Sequence, residues 1–222
     1  MNRLNLDAYQ IRAAEQEDWA PGWDAIDEAF EKLYPGQTPA HYGTDIHVRA
    51  LFGGDNFLDG YSIYQSENGY KHMLTYGMTE LYVEEQSFGG EWSRWGYEMT
   101  FKLKEESVEN CLWAIDMLSN LARYTYTRET FFEPFQYIAG NGSSIHVGVE
   151  SAITALIVVS DTEAEGINTV HGKVDFNQLV GITQRELDLL KEDGTRIHRL
   201  IENMKRDNPF LMTDMNRTQS YL

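Results

Sequence analysis

The strictest pattern in the chain is an alternation. Tyr97, Met99, Phe101 and Leu103 interleave with Glu98, Thr100, Lys102 and Lys104. A period of two specifies a β-strand, because successive side chains leave opposite faces of the pleat. Apolar residues on one side and polar ones on the other predict one face on the core and one in water. Ser151 to Val159 reads differently. It is rich in Ile and Val without alternation, which predicts a strand buried on both faces. These two segments commit the chain to a sheet with a covered core.

The flanking segments supply the layers. After Pro21-Gly22, the residues Trp23, Ile26, Phe30 and Leu33 recur at helical spacing. Tyr34-Pro35-Gly36 ends that helix, since proline cannot continue it. Tyr61–Gln65 and Lys71–Tyr76 flank the turn-rich Glu67-Asn68-Gly69, a hairpin pattern. Gly89-Gly90, Trp92 and Trp95 are expected in a loop before the alternating strand. A long helix is expected from Val108 to Tyr126. Its buried stripe would be Val108, Leu112, Ile115, Leu118 and Ala122, widened by Trp113, Met117, Leu121 and Tyr124. Val170 to Val174 predicts a turn between short strands. Thr183-Gln184-Arg185-Glu186 has the form of a capping box opening a helix to about Glu192, and Arg196 to Lys205 continues the helical region. Pro209 breaks it, and Phe210-Leu211-Met212 is read as a last strand.

Strands and helices mix without regular βαβ alternation. The expected class is therefore α+β, a mixed, largely antiparallel sheet layered with helices. Residues 1–20 are read as a polar arm, loose or a short helix, and residues 21–222 as one domain.

Composition narrows the function. The chain has 18 basic against 35 acidic residues, a formal charge of −17, which repels phosphate backbones and anionic lipid. Nucleic acid and membrane are therefore not expected partners. A basic protein would be attracted and its encounter accelerated, although an acid excess also serves solubility alone. Cys111 is the single cysteine, so no intramolecular disulfide forms, as suits a reducing compartment. Charges through Met1–Ala20 leave no room for a signal-peptide core, and the apolar stretch Ala152–Val159 is too short to span a bilayer. The cytoplasm is the default location. Two glycosylation sequons, at Asn141 and Asn216, are read as chance.

Motifs for chemistry are missing. His41, His47, His72, His146, His171 and His198 lie scattered, without metal-ligand spacing and without a second cysteine. Gly140-Asn141-Gly142 reads as a turn, not a phosphate loop, and no nucleophile elbow occurs. Carboxylate pairs such as Glu84-Glu85 and Glu105-Glu106 are numerous enough to arise by chance. No catalytic residue, metal or cofactor is therefore assigned. A carboxylate- or histidine-based hydrolase stays open as an alternative, with a homo-oligomeric scaffold as a second.

Seven segments, in order, carry a resemblance. They are AIDEAFEKLYPG (25–36), FGGDNFLDGYSIY (52–64), TYGMTELY (75–82), GYEMTFKLK (96–104), LSNLARY (118–124), GKVDFNQLVGI (172–182) and FLMTDM (210–215). Together the chain resembles the suppressor-of-fused domain family. The resemblance implies a mixed α/β sandwich without known catalytic activity. In animals the domain is the first half of a two-domain protein that sequesters Gli transcription factors, gripping an extended peptide between its halves. The chain is expected to hold only the first half, which argues against Gli-type binding. Stand-alone members look bacterial, and many are assigned as immunity proteins that neutralise toxins. The resemblance thus implies a protein-binding module whose partner is a basic toxin or regulatory peptide.

Site residues follow from the same likeness. Tyr124 matches a tyrosine that lines the animal peptide site, and Gln136 stands where the family has an aspartate. The family's Gly-Gly-Pro-Asp-Pro-Leu-Asp run reads Gly53 to Asp59 here without either proline, which is expected to loosen that loop. Tyr124 equally fits core packing. Asp59, Glu80 and Asp214 equally fit caps on backbone amides. Trp92 and Trp95 are candidate anchors, because loop aromatics often carry interfaces, although tryptophan is more often buried.

Overall fold

A computed structural model of the chain describes residues 5–43 and 57–222. His47 and most of the Gly53–Asp59 loop lie outside the described residues. The strands are β1 (Ala40–Gly43), β2 (Gly60–Gln65), β3 (Lys71–Tyr76), β4 (Trp92–Leu103), β5 (Tyr137–Ile138), β6 (Ile153–Ser160), β7 (Ile167–Thr169) and β8 (Gly172–Thr183). They form one sheet in the order β1-β2-β3-β4-β8-β6-β5, with β7 against the start of β8. β4 and β8 run parallel, and the other strand pairs are antiparallel. The helices are α1 (Leu6–Glu15), α2 (Pro21–Leu33), α3 (Trp113–Arg128), α4 (Gln184–Glu192) and α5 (Arg196–Asp207). The fold is the mixed, largely antiparallel α+β arrangement that the patterns predict. Among the described residues no helix is long and apolar enough to cross a membrane.

α3 covers one face of the sheet. Leu118 and Ala122 pack there against Tyr97, Met99, Phe101 and Leu103 of β4 and Leu156 and Val158 of β6. The opposite face carries two separate cores. Ile26 and Phe30 of α2 pack on Tyr64, Leu74, Tyr76, Val174 and Phe176. Leu187 and Leu190 of α4, with Ile197, Leu200 and Met204 of α5, pack on Ala155, Ile157, Val180 and Ile182.

Between those two cores runs the polar face of β4, and it is not wet. Glu98, Thr100 and Lys102 are all fully buried, which overturns the expected solvated face. Alternation in sequence records which side chains are polar, not what covers them. Here the segment 161–163, with His72 and Tyr34, closes over the polar row. Lys102 Nζ lies 3.0 Å from Asp161 and 2.8 Å from Glu163. Asp161 also accepts from Thr100 Oγ1 at 2.5 Å and pairs with His72 Nε2 at 2.9 Å. His72 Nδ1 meets the Tyr34 hydroxyl at 2.8 Å. Lys102 and Asp161 are thus paired and hydrogen-bonded, the condition under which burial of charge is tolerated.

Glu98 lacks a cation but has five donors. Thr75 Oγ1, Thr79 Oγ1 and the amides of Gly77, Met78 and Thr79 point at its carboxylate within 2.7–3.3 Å. The residue ties down the bend after β3. Burial pushes its carboxyl up to about 7, with the donors opposing that rise.

Other details depart from the sequence reading. β4 begins at Trp92, so both tryptophans sit in a bulged strand, not in a loop. α3 starts at Trp113 after a 3-10 turn at Glu109–Cys111. Its fully buried stripe is therefore Ala114, Leu118, Ala122 and Thr125, while Val108, Leu112 and Ile115 are only half-buried. Cys111 is buried as expected, and burial pushes its thiol up to about 12. Phe210-Leu211-Met212 forms no strand. Leu211 takes a positive φ of 50°, and a single bridge joins Leu103 to Thr213. The capping box forms fully, with Thr183 and Glu186 bonding reciprocally. In α1, Tyr9 is buried, and its hydroxyl lies 3.0 Å from His171 Nε2.

Two stability tests follow from the buried row. Removing the Asp161 charge leaves Lys102 with Glu163 alone and takes the shared anionic partner from His72 and Thr100, so Asp161→Asn should cost about 3–5 kcal/mol in urea unfolding; a loss below about 1 kcal/mol would contradict the pairing. Burial alone would raise the Asp161 carboxyl, but His72, Lys102 and Thr100 outweigh it and hold it well below the carboxylate range. Its contribution is therefore present above the ordinary value of 3.8 and lost as pH falls below it. Glu98 runs the other way. The folded state holds its proton more tightly between the ordinary 4.5 and about 7, so its contribution weakens as pH rises across that window. Carboxyl carbon resonances should show Glu98 titrating near neutrality; a midpoint near 4 would contradict this.

Candidate functional site

The parallel pairing of β4 with β8 is interrupted. Trp92 opposes Lys173 and Tyr97 opposes Asp175, so β4 spends five steps where β8 spends two. The extra residues form a bulge with Arg94 at φ 51° and Gly96 at φ 81°. Bulges of this kind re-aim side chains and are frequent beside functional sites. Here the bulge turns Trp92 outward, leaving it 46% exposed. Gly96 makes the turn feasible: a Cβ there would lie 2.9 Å from the Trp92 ring. Gly172, at φ 121°, lets β8 pass close behind, since its Cβ would meet the Trp92 backbone at 2.6 Å.

A groove of about 500 Å³ opens beside this bulge, with Trp92, Arg94 and Trp95 on one side and Phe131, Phe132 and Pro134 on the other. Asp175 and Glu133 supply its carboxylates. The far wall comes from the segment after α3. It leaves the helix at Glu129, φ 51°, and re-enters the sheet through Phe135, φ 70°, whose amide donates to the Val158 carbonyl at 2.8 Å. Non-glycine residues in that conformation are costly and cluster at functional sites. The segment presents Phe131 (47% exposed) to the groove, whereas Phe135 (53%) packs on His198 of α5 at 4.7 Å and Tyr137 (40%) opposes Ile157 of the α4–α5 core, so both lie on the other face of the sheet. A second depression of about 380 Å³ lies between α3 and β5, lined by Met117, Leu121 and Ile138. β5 ends the sheet, so its outer side is an edge among the described residues.

Most of the candidates gather here. Trp92 and Trp95 share the groove. Tyr124 is 48% exposed and stacks on Phe132 at 5.9 Å, so it borders the groove and is not in the core. Gln136 stands next to β5, with its side chain bonded to Glu133. Trp95 is half-buried and packs edge-on to Tyr126 at 5.5 Å. Asp59 stands behind, reaching the cluster through Gly77, whose carbonyl accepts the Tyr126 hydroxyl. Its carboxylate accepts from Tyr82 at 3.4 Å. Asp214 does accept a backbone amide, that of Asn216 at 2.9 Å, and also pairs with Lys104. Among the described residues no cluster of His, Cys, Asp or Glu could hold a metal.

Sequence reasoning missed Phe131, Phe135, Tyr137 and Asp175. A signal existed: Thr130 to Tyr137 holds four aromatics around Pro134 with neither a helical nor a strand period. Aromatics without periodicity cannot all share one buried face.

The family model for suppressor of fused protein matches residues 54–218. The chain belongs to the suppressor-of-fused family. It is 29% identical to the human suppressor of fused homolog over 217 residues, covering 90% of this chain but 44% of the human protein. The mouse homolog matches to the same extent. The chain thus spans less than half of the curated relatives it matches. Among solved structures, the fold agrees with a chain of the Sufu–Fu complex at a TM-score of 0.77 and 24% identity, covering 91% of this chain and 93% of that one. Drosophila Suppressor of Fused gives 0.77 and 24% identity over 91% of this chain and 51% of its own. A putative homolog from Neisseria gonorrhoeae FA 1090 gives 0.61 and 15% identity over 90% and 97%. These likenesses show a suppressor-of-fused fold.

The bulge can be tested within this suppressor-of-fused domain. Gly96→Ala combines a positive φ with a clash on Trp92, so it should cost about 1–2 kcal/mol in thermal or urea unfolding. A neutral result would show that Trp92 does not rest on Gly96.

Proposed function

We propose that this chain is a protein-binding module without catalytic activity, and that it engages its partner through the aromatic groove and the neighbouring β5 edge. The observation that carries the reading is the convergence of three half-exposed rings, Trp92, Tyr124 and Phe131, around the groove. Large aromatics set in well-formed depressions are the usual anchors of protein interfaces. An open strand edge next to them suits an extended segment, which adds main-chain hydrogen bonds to side-chain pockets. The Sufu–Fu complex supports the reading from outside. Its matched chain is of almost this chain's size and belongs to the structure of a complex.

The finer reading is that the partner is basic, and that the domain acts as an immunity protein masking a toxin. Its support is the formal charge of −17, which favours rapid encounter with a cationic protein. No observation favours a hydrolase. Glu98, the buried acid pushed up to about 7, is enclosed by its own five donors.

Capture from the source cells with wild type beside Trp92→Ala and Tyr124→Ala tests the reading. A specific partner should be retained by the wild type, weakened at least tenfold by either variant, and released progressively as salt rises. The immunity reading adds that this partner is basic, and that its toxicity is relieved by the wild type but not by Trp92→Ala. Retention of the same partner by both variants would overturn the groove, and an acidic or harmless partner would overturn the immunity role.

A further inference from the structure

The mouth of the groove already holds a cation. Lys173 Nζ sits 4.5 Å from the centre of the Trp92 ring and, at the same time, 2.9–3.0 Å from the two carboxylate oxygens of Asp175. Both partners of this contact are substantially exposed, Lys173 to 45% and Asp175 to 39%. The contact is local, made by residues two apart on β8 and by the Trp92 that the bulge delivers opposite Lys173. Ring face and carboxylate therefore form a recess for a positive charge, occupied from within the chain. The cation that lines the groove itself is turned elsewhere: Arg94 lies 4.9 Å over the Tyr126 ring. Glu133 adds a second carboxylate to the lining.

We infer that an arginine of the protein partner takes this recess and displaces Lys173, so that Trp92 and Asp175 select an arginine-bearing segment. The inference rests on the groove being the binding surface and names what it recognises. Arginine suits the recess better than the resident lysine does. Its planar guanidinium stacks on an indole and presents a fork of donors to a carboxylate, whereas an ammonium is a compact, strongly hydrated point charge. A half-exposed lysine that returns to solvent on release costs little to dislodge. The acid excess of the chain works in the same direction by raising the local concentration of cationic segments. Lys173 then acts as an internal competitor. It shields the recess in the free protein and sets a threshold that a weaker cation does not cross.

The test is a titration of the full chain with blocked tri-arginine, read from the Trp92 indole N–H resonance and assigned through Trp92→Phe. Blocked tri-lysine of equal charge is the comparison. Saturable shifts should concentrate at Trp92 and Asp175, with arginine binding more tightly than lysine. Lys173→Ala should tighten the arginine peptide roughly two- to fivefold, the gain expected when one exposed cation–π competitor is removed. Asp175→Asn should weaken it by a similar factor, and Asp188→Asn on α4 should leave it unchanged. Unaltered affinity in both Lys173→Ala and Asp175→Asn, or equal responses to arginine and lysine, would overturn the inference. If the partner is still lost on Trp92→Ala while tri-arginine ignores the recess, the arginine assignment fails and the groove stands. If neither ligand responds to Trp92, both fail.

Discussion

The ion pair between Lys102 and Asp161, with His72, Thr100 and Glu163 around it, is the constraint on which the architecture turns. It draws on β3, β4 and the turn after β6, and it lies between the α2 core and the α4–α5 core. An apolar row in its place would bury comparable area. The row of partners does something that area cannot: a cation at Lys102 accepts a single arrangement of the strands around it. Replacing a buried ion pair by apolar residues is often neutral in free energy, whereas removing one partner is severe. The cluster is thus better understood as fixing β3, β4 and the post-β6 turn relative to one another than as a large net source of stability.

That fixed register explains why the irregularity falls where it does. From Tyr97 onward β4 is held on both faces, by the α3 core and by the buried polar row. Upstream of Tyr97 the polar row ends, although Trp95 still packs against the α3 core, and the strand accommodates its extra residues as a bulge. The same bulge brings Trp92 to the surface and opposes it to Lys173. The groove is therefore a boundary effect, formed at the point where a rigid strand becomes free to deform. Its opposite wall is likewise made by a chain leaving regular structure, at Glu129 and Phe135.

Much of the fold was legible in the sequence, because periodicity reports local structure directly. The helix ended by Tyr34-Pro35-Gly36, the hairpin around Asn68-Gly69, the capping box at Thr183 and the buried strand ending in Ser160 all form close to where their patterns place them. What failed was inference about cover. The polarity of Glu98, Thr100 and Lys102 implied water, yet their partners come from residues 19 to 61 positions away. No local pattern encodes such partners. The site was legible in part. Trp92, Trp95, Tyr124 and Gln136 were named and do gather, but through a bulge and an aperiodic segment, so their mutual placement was hidden. Phe131 and Phe135 were missed for the same reason, since their exposure follows from positive φ values that sequence periodicity does not report.

We propose that this domain works by offering the surface between the β4 bulge and β5 to another polypeptide. Hydrogen exchange of the isolated chain against its purified complex addresses that claim directly. Slowed exchange should be confined to the amides of residues 92–96 and 131–138, with α1, α2 and α5 unchanged. Protection centred on the helices, with the bulge and the β5 edge exchanging as in the free protein, would contradict it.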